Sequence, residues 1–207
     1  MGENYSANFD DVIWIDEIMN YLKLEKTSMM GVSHGGYLVQ LYTLHRQERI
    51  EKAICLSSSI PIGDSGNFMK TMMKIFLPEA FFPTKRNVRN LLKKLSGDHV
   101  EVFTNHTIIF NHYTWLLKGF NNMAMRYHKV RLFTEEEVDQ IRDKIFYLAG
   151  LKDPFQKLGR AEILRNYGMN VRFYDGAGHG INHELSAEIN DIVIRIVEGQ
   201  ISNLSDV

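Results

Sequence analysis

A chain of 207 residues can bury a substantial core, and apolar and charged fractions of 44% and 24% are ordinary for one globular domain, with room for an insertion. A formal net charge of −1 supplies no basic field for nucleic acid or an anionic membrane, so the expected partner is a small-molecule substrate. A single cysteine, Cys55, excludes an internal disulfide and a cysteine-based zinc site; with no bilayer-length apolar run and no secretion signal, the expected location is cytoplasmic.

Met1 to Asn8 is polar and reads as irregular. From Phe9 to Leu22 the apolar residues recur at helical spacing, with Asn8 placed to cap the helix and Asp10 and Asp11 in its first turn. Thr27 to Val32 reads as a short buried strand, His34 onward as a helix ending near residues 46–48, and Lys52 to Leu56 as a second strand. Helix, strand, helix, strand in alternation implies parallel strands joined by crossover helices, so the fold class is α/β with a mostly parallel sheet.

Ser57 to Ile141 breaks that rhythm with three prolines, a Met- and Phe-rich stretch (Phe68, Met69, Met72, Met73, Phe76), a basic helix over Arg86 to Lys94 and an aromatic helix from Phe103 to Phe120. The expected organisation is a core of residues 1–60 and 140–207 with an inserted helical cap at 61–139. Its Met and aromatic residues suit packed core, and an adaptable roof over a site that binds an apolar acyl group. The basic helix reads as a solvated face. The parallel pattern resumes with a strand at Ile145 to Ala149, a helix from Gly159 to Tyr167, a last strand at Val171 to Tyr174 and a final helix from Leu185 to Val197.

The chemistry begins at Gly-Val-Ser-His-Gly, residues 31–35. Ser33 falls on the turn between a strand and a helix, where glycines two residues away on each side let strand and helix approach while the serine adopts strained backbone angles. A Gly-x-Ser-x-Gly string arises by chance in roughly one chain of this length in fifteen, so the strand before it and the helix after it carry the weight. The helix N-terminus behind Ser33 favours negative charge, and the backbone N–H of His34 is placed to meet an oxyanion.

Open parallel sheets bind ligands beyond the carboxyl ends of their strands. Ser33, Asp153 and His179 all fall there, in the order Ser, Asp, His. Ser33 would attack a carbonyl, His179 would take its proton and pass it to the leaving group, and Asp153 would orient the imidazole. Asp153 before Pro154 could instead merely open a turn. Asp64, just past the second strand, is the alternative acid, and His183 is the alternative base, although its place at a helix start also suits capping.

With these residues in view the chain resembles the α/β-hydrolase superfamily, specifically its capped esterase-like members. Gly-Val-Ser-His-Gly-Gly at the elbow, Gly-Leu-Lys-Asp-Pro at the acid turn and Gly-Ala-Gly-His at the histidine loop carry the likeness, which covers essentially the whole chain. The resemblance implies hydrolysis of esters, thioesters, lactones, amides or carbon–carbon bonds, with no metal or organic cofactor. A serine nucleophile argues against relatives that use aspartate, such as epoxide hydrolases and haloalkane dehalogenases. A carboxylesterase acting on a small apolar ester is the leading expectation; a carbon–carbon bond hydrolase and a non-catalytic binding or assembly module are the alternatives.

The chain departs from the family pattern at its start. Relatives carry further strands before the helix at Phe9, and a loop among them supplies a second oxyanion N–H. Losing one such donor costs on the order of 10² to 10³ in turnover, so weakened activity is expected. The elbow strand would become a sheet edge, and self-association as a homodimer through it is expected.

Overall fold

Four short apolar runs form the sheet, and their pairing follows their order in the chain. In the computed structural model, which describes residues 9–63, 68–77, 79, 81–119 and 130–206, β1 (Thr27–Val32), β2 (Ile50–Leu56), β3 (Ile145–Gly150) and β4 (Asn170–Tyr174) lie side by side as β1-β2-β3-β4, all parallel. Successive strand residues face opposite sides. Ala53 and Cys55 of β2 therefore join one core with Tyr147 of β3, while Ile54 and Leu56 join another with Phe146 and Leu148. The central strand β3 is buried along its whole length, as a parallel strand covered on both faces must be.

Helices cover the two faces. Against the first lie α1 (Asp11–Tyr21), α2 (His34–His45), α7 (Glu135–Ile141) and α8 (Arg160–Asn166), which contribute Met19, Tyr42, Ile141 and Leu164. Against the second lie α9 (Ile181–Glu184) and α10 (Ser186–Val197), with Ile181, Ile189, Ile192 and Ile196 facing inward. A buried polar strut ties the first layer to the sheet: the Tyr147 hydroxyl donates to Gln40 Oε1 at 2.8 Å, and Gln40 Nε2 donates to the carbonyls of Gly36 and Ser59. Each buried polar atom in that strut is paired, which is the condition for such a network to stabilise rather than cost.

The first helix differs from its expected form. Its N-cap is Asp10, whose Oδ1 accepts from the N–H groups of Val12 and Ile13, so the helix starts at Asp11 rather than Phe9; Asn8 lies outside the described residues. Only Met19 of this helix is buried, and Ile13, Trp14 and Ile18 are exposed. Its exposed flank continues onto β1, which among the described residues pairs with β2 alone and leaves Met30 54% and Val32 37% exposed. That edge is the surface on which the sequence leads one to expect self-association.

Between β2 and β3 the described chain forms α3 (Phe68–Phe76), α4 (Lys85–Leu95), α5 (Glu101–Thr104) and α6 (Thr107–Gly119). Val88, Leu92, Phe103 and Phe110 make one small core there, and Ile75 and Leu91 make another around Phe155, which comes from beyond β3. Met72 and Phe76 pack on that second core, whereas Met73 and Trp115 are exposed. The side chains of Phe68 and Met69, and all of Phe120, lie outside the described residues.

Candidate active site

Ser33 sits where β1 turns into α2, with φ 56° and ψ −115°. A non-glycine residue there costs on the order of 1–3 kcal/mol and persists only where its surroundings impose it. The Ser33 N–H donates to the Leu56 carbonyl at 2.8 Å, and the Ser33 carbonyl accepts from Gly36 N–H at 3.0 Å, which fixes both sides of the turn. A Cβ on Gly31 would lie 2.2 Å from the carbonyl carbon and oxygen of Gly35, and one on Gly36 would lie 2.6 Å from Cβ of Ser58. Nothing lies within 4 Å of a Cβ on Gly35. The close approaches expected of Gly31 and Gly35 alike therefore need glycine at Gly31 and Gly36. The Ser33 hydroxyl does not cap α2, and His34 opens that helix with its N–H in the first turn, where the helix dipole is positive.

The acid turn and the histidine loop reach the same rim from β3 and β4. Leu151 N–H donates to the Tyr174 carbonyl and Lys152 N–H to the Ala177 carbonyl, both at 2.9 Å, so the two loops are joined before their side chains meet. Asp153, 3% exposed, then uses both oxygens. Its Oδ1 accepts from Phe155 N–H at 2.8 Å and caps the short 3-10 turn that begins at Pro154, and its Oδ2 lies 2.7 Å from His179 Nδ1. The turn-opening role and the histidine-orienting role thus coexist in one carboxylate. With the Nδ1 proton directed at the carboxylate, His179 carries its lone pair on Nε2, the tautomer a general base requires.

Neighbours that the sequence did not single out hold this pair in place. The Phe155 ring centre lies 4.9 Å from that of His179, and the Arg160 guanidinium stacks 4.6 Å from the same phenyl ring. Arg160 Nη1 also donates to the Ser57 carbonyl at 3.4 Å, and burial lowers the Arg160 pKa against the opposing pull of Asp153. His179 N–H donates to the Leu95 carbonyl at 2.6 Å, so α4 reaches the histidine loop directly. Glu184 reinforces that junction: its carboxylate accepts from Gly97 N–H at 2.8 Å and from Gly178 N–H at 3.1 Å. No motif marks Glu184, because its partners are backbone groups of segments 87 and 6 residues away.

Burial raises the pKa of Glu184 above its ordinary 4.5, and the backbone N–H donors only partly oppose that rise. Between the unfolded value near 4.5 and the raised folded value, the folded protein holds the proton that the unfolded chain has released. The contribution of this group to stability therefore falls as pH rises through that window. Thermal unfolding midpoints measured from pH 4 to 7 are expected to show the difference, wild type minus Glu184→Gln, declining with pH; a flat difference would contradict this account.

The other expected site residues fall as follows. His183 stands away from the acid: its ring packs edge-on against Phe103 and Tyr113 at 5.4 and 5.9 Å, and burial followed by the charge of His112 lowers its pKa. It neither caps a helix nor faces Asp153, so His179 alone of the two is joined to that carboxylate. His34 lies beside Tyr37, with ring centres 5.4 Å apart. Asp64 lies outside the described residues. Among the described residues, no group of three or more His, Cys, Asp or Glu is arranged to hold a metal ion, and no helix is long and apolar enough to cross a membrane.

A parallel sheet flanked by helices, with a strained serine elbow on one strand end and an Asp–His pair on two others, is the α/β-hydrolase fold in partial form. Solved structures agree. The chain is similar to a meta-cleavage product hydrolase from Pseudomonas fluorescens IP01, at 18% identity and a TM-score of 0.70 over 97% of this chain and 75% of that one. It is similar also to the naproxen esterase, carboxylesterase NP, of Bacillus subtilis, at 21% identity and a TM-score of 0.70 over 95% and 68%, and to a carboxylesterase structure from Nitrososphaera gargenis, at 16% and 0.69 over 97% and 76%. Neither a protein-family model nor a curated protein matches the sequence.

Proposed function

We propose that the chain is a serine hydrolase acting as a carboxylesterase on a small, apolar ester. Ser33 Oγ attacks the ester carbonyl while His179 Nε2 takes its proton, and Asp153 stabilises the imidazolium that results. The tetrahedral intermediate collapses as His179 returns that proton to the departing alcohol, leaving an acyl group on Ser33. Water, deprotonated by the same imidazole, then releases the acid. The N–H of His34 stabilises the oxyanion in both halves of the cycle.

The observation that carries this reading is the 2.7 Å contact between His179 Nδ1 and Asp153 Oδ2, on the rim where the strained Ser33 also stands. Fold neighbours that include two named esterases support the substrate class. A neighbour named for cleavage of meta-cleavage products makes carbon–carbon hydrolysis the second reading, since the same three residues can serve it.

A fluorophosphonate probe is expected to add covalently to Ser33, and Ser33→Ala to lower p-nitrophenyl butyrate turnover by at least about 10⁴-fold. Native protein that takes no label and loses no turnover in Ser33→Ala would leave the non-catalytic, binding or assembly reading in its place.

A further inference from the structure

The even charge of the chain conceals a strong local asymmetry. Residues 68 to 96 hold seven Lys or Arg and a single acid, Glu79, a net of +6 within a protein whose formal charge is −1. Part of that charge converges on a cavity of about 450 Å³ between α3, α4 and the turn that follows Asp153, where Lys70, Lys74, Lys94 and Lys157 share the wall with Thr71 and Pro154.

The four lysines are not equivalent. Lys94 is committed: its Nζ pairs with Glu79 at 2.8 Å and donates to the carbonyls of Ile75 and Leu77. That pairing consumes the one acid of the segment. Lys70, Lys74 and Lys157 have no ion pair or hydrogen bond among the described residues. Lys70 and Lys74 stand four residues apart on one face of α3, an arrangement that destabilises a helix when both are charged. Lys157 joins them from a different element, the turn Pro154–Leu158. Ile75 also lines the cavity and packs with Leu91 and Phe155 in a small buried core, which anchors the wall from which the lysine stems project. Cations from separate elements that line one concavity, with no acid among its described lining residues, form a receptor for a multiply charged anion.

We propose that this cavity binds a phosphate-bearing ligand through Lys70, Lys74 and Lys157, with the Thr71 hydroxyl as a further donor. Pro154 walls the site, and Phe155, the next residue, packs against the His179 imidazole. Its existence does not depend on the hydrolase reading, because binding is measured without turnover.

Inorganic pyrophosphate titrated into the full chain by calorimetry at low salt is expected to bind saturably at one site. Lys157→Ala is expected to weaken that binding about fivefold and Lys70→Ala/Lys74→Ala by about 25-fold, with the affinity falling as salt rises. Lys85→Ala/Arg86→Ala changes exposed cations of α4 outside the cavity and is expected to leave the affinity unchanged. Glutamine versions, which keep the stems, replace any alanine version that loses its cooperative melt. Phosphatidylcholine vesicles containing phosphatidic acid separate the two sources of phosphate: capture that requires Lys157 and is reversed by pyrophosphate assigns the site to a lipid headgroup, and absence of capture alongside pyrophosphate binding assigns it to a soluble molecule. The proposal is overturned if pyrophosphate does not saturate, or if the Lys85/Arg86 pair matters as much as the cavity lysines.

Discussion

Asparagine at position 153 is expected to lower ester turnover about 10⁴-fold while leaving the fold intact. The two outcomes separate because Asp153 does two jobs with two atoms. Its Oδ1 accepts from Phe155 N–H, and an asparagine carbonyl can keep that cap. Its Oδ2 faces His179 Nδ1 at 2.7 Å, and there an asparagine NH₂ presents a donor instead of an acceptor. The imidazole must then accept at Nδ1 and carry its proton on Nε2, where it can no longer take one from Ser33. Thermal melts and p-nitrophenyl butyrate kinetics on the same preparation check both halves. Turnover within tenfold of wild type would reduce Asp153 to a turn residue, and the same assay on Asp64→Asn would then identify the acid.

Much of this arrangement is legible in the sequence because it is local. The strand, serine and helix at 27–45 are neighbours along the chain, and the glycines around His179 and the proline after Asp153 mark loops whose backbones are constrained in place. Parallel order follows from the alternation of elements, and parallel order puts the strand ends that precede Ser33, Asp153 and His179 on one rim of the sheet. What the sequence does not reveal depends on contacts between distant segments. Glu184 gains its partners only when residues 97 and 178 are brought together, Arg160 reaches Phe155 through a turn, and Gly97 fits because a Cβ there would lie 2.0 Å from the Gly176 carbonyl oxygen. Charge behaves in the same way: a net of −1 excludes a basic field only if the charges are mixed, and here residues 68–96 carry a net of +6. The exposed flank of α1 shows the reverse failure. Its apolar spacing predicts burial, yet the described chain supplies a partner only for the side that carries Met19.

Gly31→Ala is expected to destabilise the protein by about 3 kcal/mol and to cost roughly 10²-fold in turnover of whatever remains folded. The added methyl would lie 2.2 Å from the carbonyl carbon and oxygen of Gly35 and 2.7 Å from the Gly36 nitrogen. These are backbone atoms in the first turn of α2, so no side-chain rotation relieves the clash. Relief requires the helix N-terminus to withdraw from β1, which opens the turn that holds Ser33 at φ 56° and moves both the hydroxyl and the His34 N–H. Gly35→Ala is the paired control, since nothing lies within 4 Å of its added carbon and alanine suits a helix better than glycine by about 0.5–1 kcal/mol. Chemical denaturation should place the Gly35 variant at or slightly above wild type and the Gly31 variant well below it. Equal losses at the two positions would mean that the glycines serve only backbone flexibility, and that the close approach of β1 and α2 does not hold Ser33 in place.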